Sequence, residues 1–376
     1  MISHLENRLL KRKKLGNFRK LQLFQPSIDF SSNDYLGLAR SPQLAISVAL
    51  EVETHASHLN GFGSTGSRLL TGNSLYAQEL EEKIAEFHGY QAGVLFNCGY
   101  MANVGLLSSI TNQESIIFYD VAVHASTHDG IRLSKGKAVP FRHNDLEHLK
   151  YRLKTCCSQG DRFICIESIY STDGSRAPLT ELAQLSREYE AHLIVDEAHA
   201  VGVFGPKGRG LVAEHGLMDS VFAQVTTFGK ALGTHGAIVL THHTVKQALI
   251  NFATSYIYTT ALPFQILAAI KCSYDTFPGM DREREQLQKL IQLFRDSYPI
   301  SSSTTHIQSI PIEGNESVKN IAKLLIDKKF DIRPLMSPTV QRGDELLRIC
   351  LHAFNTDKEL IELIEELQYY RKLFNV

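Results

Sequence analysis

The sequence has no excess of charge of either sign. Lysine and arginine together number 39, and aspartate and glutamate number 40, which leaves a formal net charge of -1. A chain with this balance creates no long-range field that would steer nucleic acid or an anionic membrane to its surface. We therefore expect neither as a partner, and any anion that the protein binds must be held by a local site.

Long apolar runs are also missing, since none approaches the roughly 18 residues that cross a bilayer. The N-terminal stretch MISHLENRLLKRKK carries charges where a signal peptide would have its apolar segment. The six cysteines include no CxxC pair and no regular spacing, which argues against a disulfide framework and against a structural zinc site. The sequence thus predicts a cytoplasmic protein without a metal.

Apolar residues are present in sufficient number for a sizeable core, because 43% of the 376 residues are hydrophobic and 21% are charged. At about 100 to 200 residues per domain, a chain of this length forms two or three packed units. The pattern predicts an N-terminal arm over 1–43, a large domain over 44–275 and a small C-terminal domain over 276–376.

The large domain alternates short apolar runs with helical stretches. Near-continuous apolar runs between turns are typical of strands covered on both faces, so we expect an α/β fold with a mostly parallel central sheet. The runs are AGVLF (92–96), SIIFY (115–119), RFICIES (162–168), HLIVD (192–196) and AIVL (237–240). The small domain is predicted to be α+β, with helices over 281–295 and 316–329, strands over 306–312 and 346–354, and a terminal helix.

The segment HLIVDEAHAVGVFGPKGRG (192–210) is the most informative part of the sequence. A buried strand ends in Asp196, and ligands of open α/β sheets lie beyond the carboxyl ends of strands, so Asp196 and His199 are expected in a ligand crevice. A carboxylate that merely caps the next helix is the alternative. The letters DEAH also occur in nucleotide-driven helicases, but the chain has no GxxxxGK[ST] phosphate loop, because its similar Gly-Lys pair is followed by Ala231.

A second segment, TTFGKALGTHGA (226–237), places Lys230 among small residues. A lysine used in covalent chemistry needs room for a planar partner, which small neighbours provide; a surface lysine in a flexible loop is the alternative. Taken with Asp196, Lys230 points to pyridoxal 5'-phosphate. That cofactor needs a Schiff-base lysine and an aspartate that keeps its pyridine nitrogen protonated.

Two other patterns bear on ligands. Gly99 and Tyr100 stand between an apolar run and a helical stretch, where backbone N–H groups at a helix start can bind a phosphate. His124 and His128 are four residues apart, but no third ligand with zinc-site spacing accompanies them, so we expect no metal there.

A larger set of segments resembles the α-oxoamine synthases, in that family's order and over nearly the whole chain. The segments are SSNDYLGLA (31–39), GFGSTGSRLLTGN (61–73), FNCGYMAN (96–103), HAS (124–126), FRHNDL (141–146), ESIYSTDG (167–174), DEAHAVGVFGPKGRG (196–210), TTFGKALG (226–233), IYTTALP (257–263), SPTV (337–340) and LLRICLHA (346–353). The resemblance implies a PLP-dependent transferase of fold type I and a homodimer with shared active sites.

The resemblance also implies roles for single residues around the cofactor. Lys230 matches the lysine that bonds to the cofactor and later moves the Cα proton, Asp196 the partner of the pyridine nitrogen, and His124 the histidine that stacks on the ring. The remaining matches are Ser171 and His199 near the phenolic oxygen, and Gly99, Tyr100, Thr227 and a neighbouring subunit's Thr260 at the phosphate. Ser171 could instead be an ordinary turn serine, and Thr259 and Thr260 ordinary strand residues.

For the substrates, Arg348 matches the arginine that forks onto an amino-acid carboxylate, a geometry that lysine cannot reproduce. Thr339 matches a substrate-contact threonine. Arg19 aligns with an arginine expected near the far carboxylate of a pimeloyl chain, although the basic arm around it is also typical of a solvated helix face.

The implied reaction is the decarboxylative condensation of L-alanine with a pimeloyl thioester in biotin biosynthesis, with a protonated His124 that also contacts the substrate and assists the loss of CO2. Whether the acyl group arrives on coenzyme A or on an acyl carrier protein is left open. A glycine-using relative such as 2-amino-3-ketobutyrate CoA ligase or 5-aminolevulinate synthase, a transaminase, and a non-catalytic nucleotide or nucleic-acid binder are the alternatives.

Three positions depart from the family pattern. Thr65 replaces a glycine and adopts positive φ less readily. Met336 stands where an arginine is often found, and Gln341 where a proline is found. These departures concern the recognition of the acyl chain and leave the cofactor residues intact.

Overall fold

The structure is a computed structural model that describes residues 2–21, 27–55, 62–157 and 159–374. Helices and strands are numbered here along the chain. The described residues divide into two compact units: a larger unit of Leu36–Tyr170 and Arg176–Arg284, and a smaller unit of Met1–Tyr35, Ser171–Ser175 and Glu285–Val376. None of the described helices is long and apolar enough to cross a membrane.

The larger unit is built on a seven-stranded sheet with the strand order β2-β8-β7-β6-β5-β3-β4. Its strands are β2 (Ala92–Phe96), β3 (Ile116–Asp120), β4 (Lys137–Phe141), β5 (Arg162–Glu167), β6 (Ala191–Asp196), β7 (Val221–Thr227) and β8 (Ala237–Thr241). Strand β8 is antiparallel to both of its neighbours, and the other pairs are parallel. The expected mostly parallel α/β sheet is confirmed.

Helices connect and cover these strands. They are α2 (Pro42–Thr54), α3 (Leu75–His88), α4 (Gly99–Ile110), α5 (Ala125–Leu133), α6 (Leu146–Thr155), α7 (Leu179–Glu188), α8 (Leu211–Glu214), α9 (His243–Phe252), α10 (Thr254–Ile257) and α11 (Phe264–Thr276). Helix α4 packs against α5 and α9 and also contacts β7 and β8. Its buried side chains Ala102 and Leu106 join Val94, Val225 and Val239 in a core.

All five apolar runs singled out in the sequence form strands of this sheet, whereas β4 and β7 were not among them. Strand β4 contains Pro140 and lies at the edge of the sheet, where a missing N–H is tolerated. Strand β7 contains Gln224 and Thr226, whose buried polar side chains bond to each other at 3.1 Å. Neither strand therefore shows an uninterrupted apolar run.

The smaller unit is α+β. Strands β9 (Ile307–Pro311), β11 (Arg333–Leu335) and β12 (Leu346–Cys350) form an antiparallel sheet in the order β11-β12-β9. Strands β1 (Ile28–Asp29) and β10 (Phe330–Asp331) form a separate parallel pair. The helices are α1 (Ser3–Lys14), most of α12 (Asp281–Ser297), α13 (Asn315–Asp327) and α14 (Asp357–Phe374).

Candidate active site

The strand directions bring several of the predicted residues to one edge of the large sheet. Strands β2, β3, β6 and β7 all run in the same direction, so their carboxyl ends share this edge. Asp196 and Thr227 are the last residues of their strands, Gly99 follows β2 and His124 follows β3. Lys230 lies in the connection from β7 to β8, which begins at the same edge.

Asp196 is held with both carboxylate oxygens occupied. Its Oδ1 accepts a hydrogen bond from the Ala198 N–H at 3.0 Å, and its Oδ2 accepts one from Asn103 Nδ2 at 2.8 Å. Only 8% of the residue is exposed. The bond to Ala198 closes a turn rather than capping a long helix, so the helix-cap alternative is wrong, and a buried carboxylate fixed in this way is suited to bind a cationic ring N–H.

Lys230 and His199 lie within hydrogen-bond distance, with Nζ 2.8 Å from His199 Nε2. Lys230 is half-buried and His199 is buried. The Lys230 carbonyl accepts from the Gly233 N–H at 2.8 Å, and Gly233 has a φ of +65°. A Cβ at Gly233 would lie 2.4 Å from the Ala39 nitrogen, so the turn after Lys230 requires glycine, and Lys230 is not on a loose surface loop.

Gly99, Tyr100 and Thr227 form a cradle that suits a phosphate. Helix α4 starts at Gly99, and its N-cap residue Cys98 makes no side-chain capping bond, which leaves N–H groups of the first turn for a ligand. Thr227 Oγ1 is buried and has no hydrogen-bond partner among the described residues. A Cβ at Gly99 would lie 2.5 Å from Thr227 Cγ2, so the absence of a side chain keeps this space open.

Tyr100 lies at the rim of this cradle, and 43% of the residue is exposed. Its hydroxyl donates a hydrogen bond to Asp129 on α5.

His124 is the N-cap residue of α5 and is exposed as a residue. Its Nδ1 accepts from the Ser126 N–H at 3.2 Å and lies 2.8 Å from Ser126 Oγ. His128, one turn later, packs its ring edge-on against Tyr119. Within the described part of the chain, no three His, Cys, Asp or Glu side chains come together as a metal site.

Two residues that the sequence analysis did not single out connect these groups. Asn103 Nδ2 donates to Asp196 Oδ2 and also to Ser126 Oγ, at 2.8 and 2.9 Å. Both Asn103 and Ser126 are buried. They lie inside the quoted segments FNCGYMAN and HAS, but an asparagine and a serine in helices give no signal of such a role in the sequence.

Glu197, the neighbour of Asp196, does not face a ligand. It is fully buried, and its Oε1 accepts from the Val212 N–H at 3.3 Å. Burial raises the pKa of Glu197 to about 8. Because Glu197 is fully buried and bonded to α8, the DEAH letters do not place a second carboxylate at a ligand site.

The smaller unit holds the other predicted residues in two groups. Arg348 Nε donates to the Ser171 carbonyl at 2.6 Å, and its Nη2 donates to Asn33 Oδ1 at 3.0 Å, which fixes the plane of the guanidinium. Arg19 Nη2 donates to Thr339 Oγ1 at 3.1 Å, although the two residues are 320 positions apart in the chain. The structure thus brings together Arg19, predicted near the far carboxylate of the acyl chain, and Thr339, predicted to contact a substrate.

The segment around Thr260 is not a strand, so that alternative is wrong. Helix α10 ends at Ile257, and an irregular stretch follows. Asn97 Nδ2 donates to the Thr260 carbonyl at 2.9 Å, and Thr260 is exposed. Thr65, whose glycine-like position was noted as a departure, has a φ of +52°, so threonine occupies the left-handed region there.

Comparison with known proteins now adds to this geometry. A family model for class I and II aminotransferases matches residues 25–367. The chain is 43% identical over 374 residues to an 8-amino-7-oxononanoate synthase of Emericella nidulans, covering 92% of this chain and 90% of that protein. The chain belongs to the 8-amino-7-oxononanoate synthase family. An 8-amino-7-oxononanoate synthase from Saccharophagus degradans is 35% identical over 385 residues, which cover 97% of this chain and 96% of that protein.

Solved structures agree in fold. An 8-amino-7-oxononanoate synthase from Francisella tularensis superposes with a TM-score of 0.80 at 30% identity, over 93% of this chain and 99% of that chain. A serine palmitoyltransferase from S. paucimobilis with a bound PLP-myriocin aldimine superposes with a TM-score of 0.90 at 25% identity, over 99% and 98%. The protein is a PLP-dependent acyltransferase of fold type I, as the sequence predicted.

The residues at the edge of the large sheet fit this cofactor. The unpartnered Thr227 hydroxyl and the cradle at Gly99 suit its phosphate, and the buried Asp196 carboxylate suits its pyridinium N–H. Lys230 and His199 present an amine and an imidazole beside each other. When bound, pyridoxal phosphate supplies an electron sink that stabilises a carbanion at the amino-acid Cα.

Proposed function

We propose that the protein condenses L-alanine with a pimeloyl thioester and releases CO2, to give 8-amino-7-oxononanoate for biotin synthesis in the cytoplasm. The names of the curated relatives support this reaction. The observation that carries the choice of acyl group is the contact between Arg19 and Thr339. Alanine and a pimeloyl chain each carry a carboxylate, and Arg19 supplies a second guanidinium besides Arg348.

In the proposed mechanism, Arg348 binds the carboxylate of alanine with the guanidinium plane that Ser171 and Asn33 fix. Lys230 Nζ takes the proton from the alanine Cα, and Asp196 keeps the pyridine N–H in place with its ionised carboxylate. His199 orients Lys230 through the bond at 2.8 Å. Ser171 and His199 are assigned to the phenolic oxygen of the cofactor, and Gly99, Tyr100 and Thr227 to its phosphate.

The proposed reaction forms one carbon–carbon bond and breaks two bonds, one to sulfur and one to the carboxylate carbon. A carbon–carbon bond forms between the alanine Cα and the acyl carbonyl carbon, and the carbon–sulfur bond of the thioester breaks. The bond from Cα to the carboxylate then breaks as CO2 leaves, and Lys230 returns a proton to Cα. The leaving thiolate takes one proton from solvent, so the reaction as a whole consumes one proton. A thioester of coenzyme A and one of an acyl carrier protein serve equally in this scheme.

We further propose that the active protein is a homodimer in which Thr260 reaches the phosphate bound by the partner subunit. Large apolar side chains are exposed on the larger unit, among them Phe62 at 91%, Tyr258 at 82% and Leu70 at 78%. Isolated exposed apolar residues are common, but this group lies in the two segments that flank the phosphate cradle in sequence and is suited to a subunit interface.

The substrate assignment is tested by assaying CO2 and 8-amino-7-oxononanoate from L-alanine and pimeloyl-CoA. Arg19→Ala should raise the KM for pimeloyl-CoA about tenfold or more, because a carboxylate loses its charged hydrogen-bond partner, and should leave the KM for alanine unchanged. Lys20 is the exposed residue next to Arg19, so Lys20→Ala is the matched control and should change neither the KM for pimeloyl-CoA nor the KM for alanine. Faster reaction of glycine with a short acyl-CoA would overturn the proposal.

A further inference from the structure

We propose that Asn103 and Ser126 are positioning residues that hold His124 as a neutral imidazole with its only N–H at Nε2. The consequence of this inference for the reaction rests on the proposed function, whereas the hydrogen bonds that support the inference do not. The three side chains, with Asp196, form one continuous hydrogen-bonded chain from the end of β6 through α4 to the start of α5.

In this series of hydrogen bonds, the groups at the two ends fix which atom donates and which atom accepts. At one end, the ionised Asp196 carboxylate can only accept, so the amide of Asn103 must present its NH2 group to Asp196. The second N–H of the same group then donates to Ser126 Oγ at 2.9 Å. Ser126 Oγ accepts this bond and lies 2.8 Å from His124 Nδ1, with its own hydroxyl proton still available to donate to that nitrogen.

At the other end, a backbone N–H can only donate. The Ser126 N–H points to His124 Nδ1 at 3.2 Å, so Nδ1 must offer a lone pair. The hydroxyl and the backbone N–H thus both donate to the same ring nitrogen. A proton on Nδ1 would face the Ser126 N–H, which can only donate, and would force the Ser126 hydroxyl to turn its own proton away, so both the Nδ1–H tautomer and the imidazolium are disfavoured.

Close packing of the two helices keeps this series of hydrogen bonds out of contact with water. Helices α4 and α5 approach closely because α5 carries Gly130, where a Cβ would lie 2.9 Å from the Asn103 carbonyl oxygen. Asn103 and Ser126 have exposures of 4% and 0%, so water does not compete for their bonds. His124 is exposed as a residue, while its Nδ1 accepts from the buried Ser126 N–H.

The charged and titratable groups around His124 act mainly in the same direction. Partial burial lowers the pKa of His124, and Asp196 opposes this by favouring the imidazolium. Lys230 from the β7–β8 connection and His128 on α5 lower the pKa further. The net shift is downward, in agreement with the hydrogen-bond directions.

The consequence differs from the expectation that a protonated His124 assists the loss of CO2. A neutral His124 offers an N–H at Nε2 as a hydrogen-bond donor and has no proton to give up. The proton that replaces CO2 at Cα must come from another group, and Lys230, which takes a proton from Cα earlier, is the group that returns it.

Histidine-selective ¹⁵N labelling and long-range ¹H–¹⁵N spectra of the apoprotein test the proposal directly, with the His124 signals assigned from a His124→Asn sample. We expect His124 to show a protonated Nε2 and an unprotonated Nδ1 at pH 7. In Ser126→Ala, which removes one of the two donors, the titration midpoint should rise by at least half a pH unit. Asn103→Ala frees the Ser126 hydroxyl to accept and should raise the midpoint as well.

Ser108→Ala, which changes a half-buried serine of the same helix α4, is the matched control and should leave the midpoint in place. Ser126→Thr keeps the hydroxyl donor and should restore the wild-type midpoint. A wild-type His124 that is protonated at Nδ1 at pH 7, or a midpoint that Ser126→Ala and Asn103→Ala leave unchanged, would overturn the inference. These spectra need no substrate, so failure of the alanine and pimeloyl-CoA assay would be a separate result.

Discussion

Thr227 carries a buried hydroxyl that no described protein group satisfies, which is costly unless a ligand supplies the missing bond. Thr227→Ala should therefore weaken pyridoxal phosphate about 10- to 100-fold, since a hydrogen bond to a charged group is worth roughly 1.5–3 kcal/mol. The loss is measured by titrating the apoprotein with cofactor and following the yellow absorbance of the complex.

Thr227→Ser retains the hydroxyl and serves as the matched control, with an affinity close to that of the wild type. If Thr227→Ala binds the cofactor as tightly as Thr227→Ser, the hydroxyl does not contact the phosphate.

Single residues were predictable from the sequence where covalent or charge chemistry leaves few options. Lys230 and Asp196 follow from the needs of the cofactor, and the structure places both at one edge of the sheet. Asn103 and Ser126 were not predictable, because an asparagine and a serine in helices have many ordinary roles. Their bonds to Asp196 and His124 depend on the spacing of α4 and α5, which the sequence does not encode locally.

Among secondary-structure elements, α3 is tied to β2, to α9 and to the turn residue Arg68 through its buried Glu81. Its Oε1 accepts from Arg68 Nη1 at 2.8 Å and from the Leu95 N–H of β2 at 3.0 Å, and its Oε2 accepts from Lys246 of α9 at 3.1 Å. Only 2% of Glu81 is exposed. The segment SRLLTGN thus contributes to the fold through Arg68.

Glu81→Ala should lower the free energy of unfolding by about 3–5 kcal/mol, because it leaves two cations and a buried N–H without their partner. Urea unfolding followed by circular dichroism measures the change. Glu82→Ala, at the exposed next position of α3, should stay within about 0.5 kcal/mol of the wild type. If Glu81→Ala and Glu82→Ala lower the free energy of unfolding equally, the bonds of Glu81 do not stabilise the fold.

Elements were predicted best where both faces of a strand are apolar and worst where polar side chains satisfy each other. Strand β2 coincides with its predicted run, and β7 was missed because Gln224 and Thr226 bond internally. The short pair β1 and β10 has only two residues per strand, so no periodicity could reveal it. The domain bounds at residues 43 and 275 stay a prediction.

For the whole molecule, the proposed sharing of active sites between two subunits predicts a result that mixed dimers test. A Lys230→Ala subunit paired with a Thr260→Ala subunit has one site that lacks both groups and one that has both. After the two variant proteins are mixed at random, half of the dimers contain one subunit of each kind. Each mixed dimer has one intact active site out of two, so the mixture should have about one quarter of the active sites of the wild type.

The recovery is measured as CO2 release at a cofactor concentration that limits the Thr260→Ala homodimer. A mixture whose activity equals the mean of its two parents at every ratio would show that Thr260 serves its own subunit or no phosphate at all.

The smaller unit is assembled from chain segments that leave the ribosome far apart in time. Strand β1 at Ile28–Asp29 pairs with Phe330–Asp331, so the first strand waits for about 300 further residues before its partner exists. At roughly 5–20 residues per second that delay is about 15–60 s. The seven strands of the larger unit lie between Ala92 and Thr241, so all of them are synthesised within this interval, before Phe330 is made. Translation therefore allows the cofactor-binding sheet to form first, whereas the pairing of β1 with β10 follows only after Phe330 and Asp331 have been made.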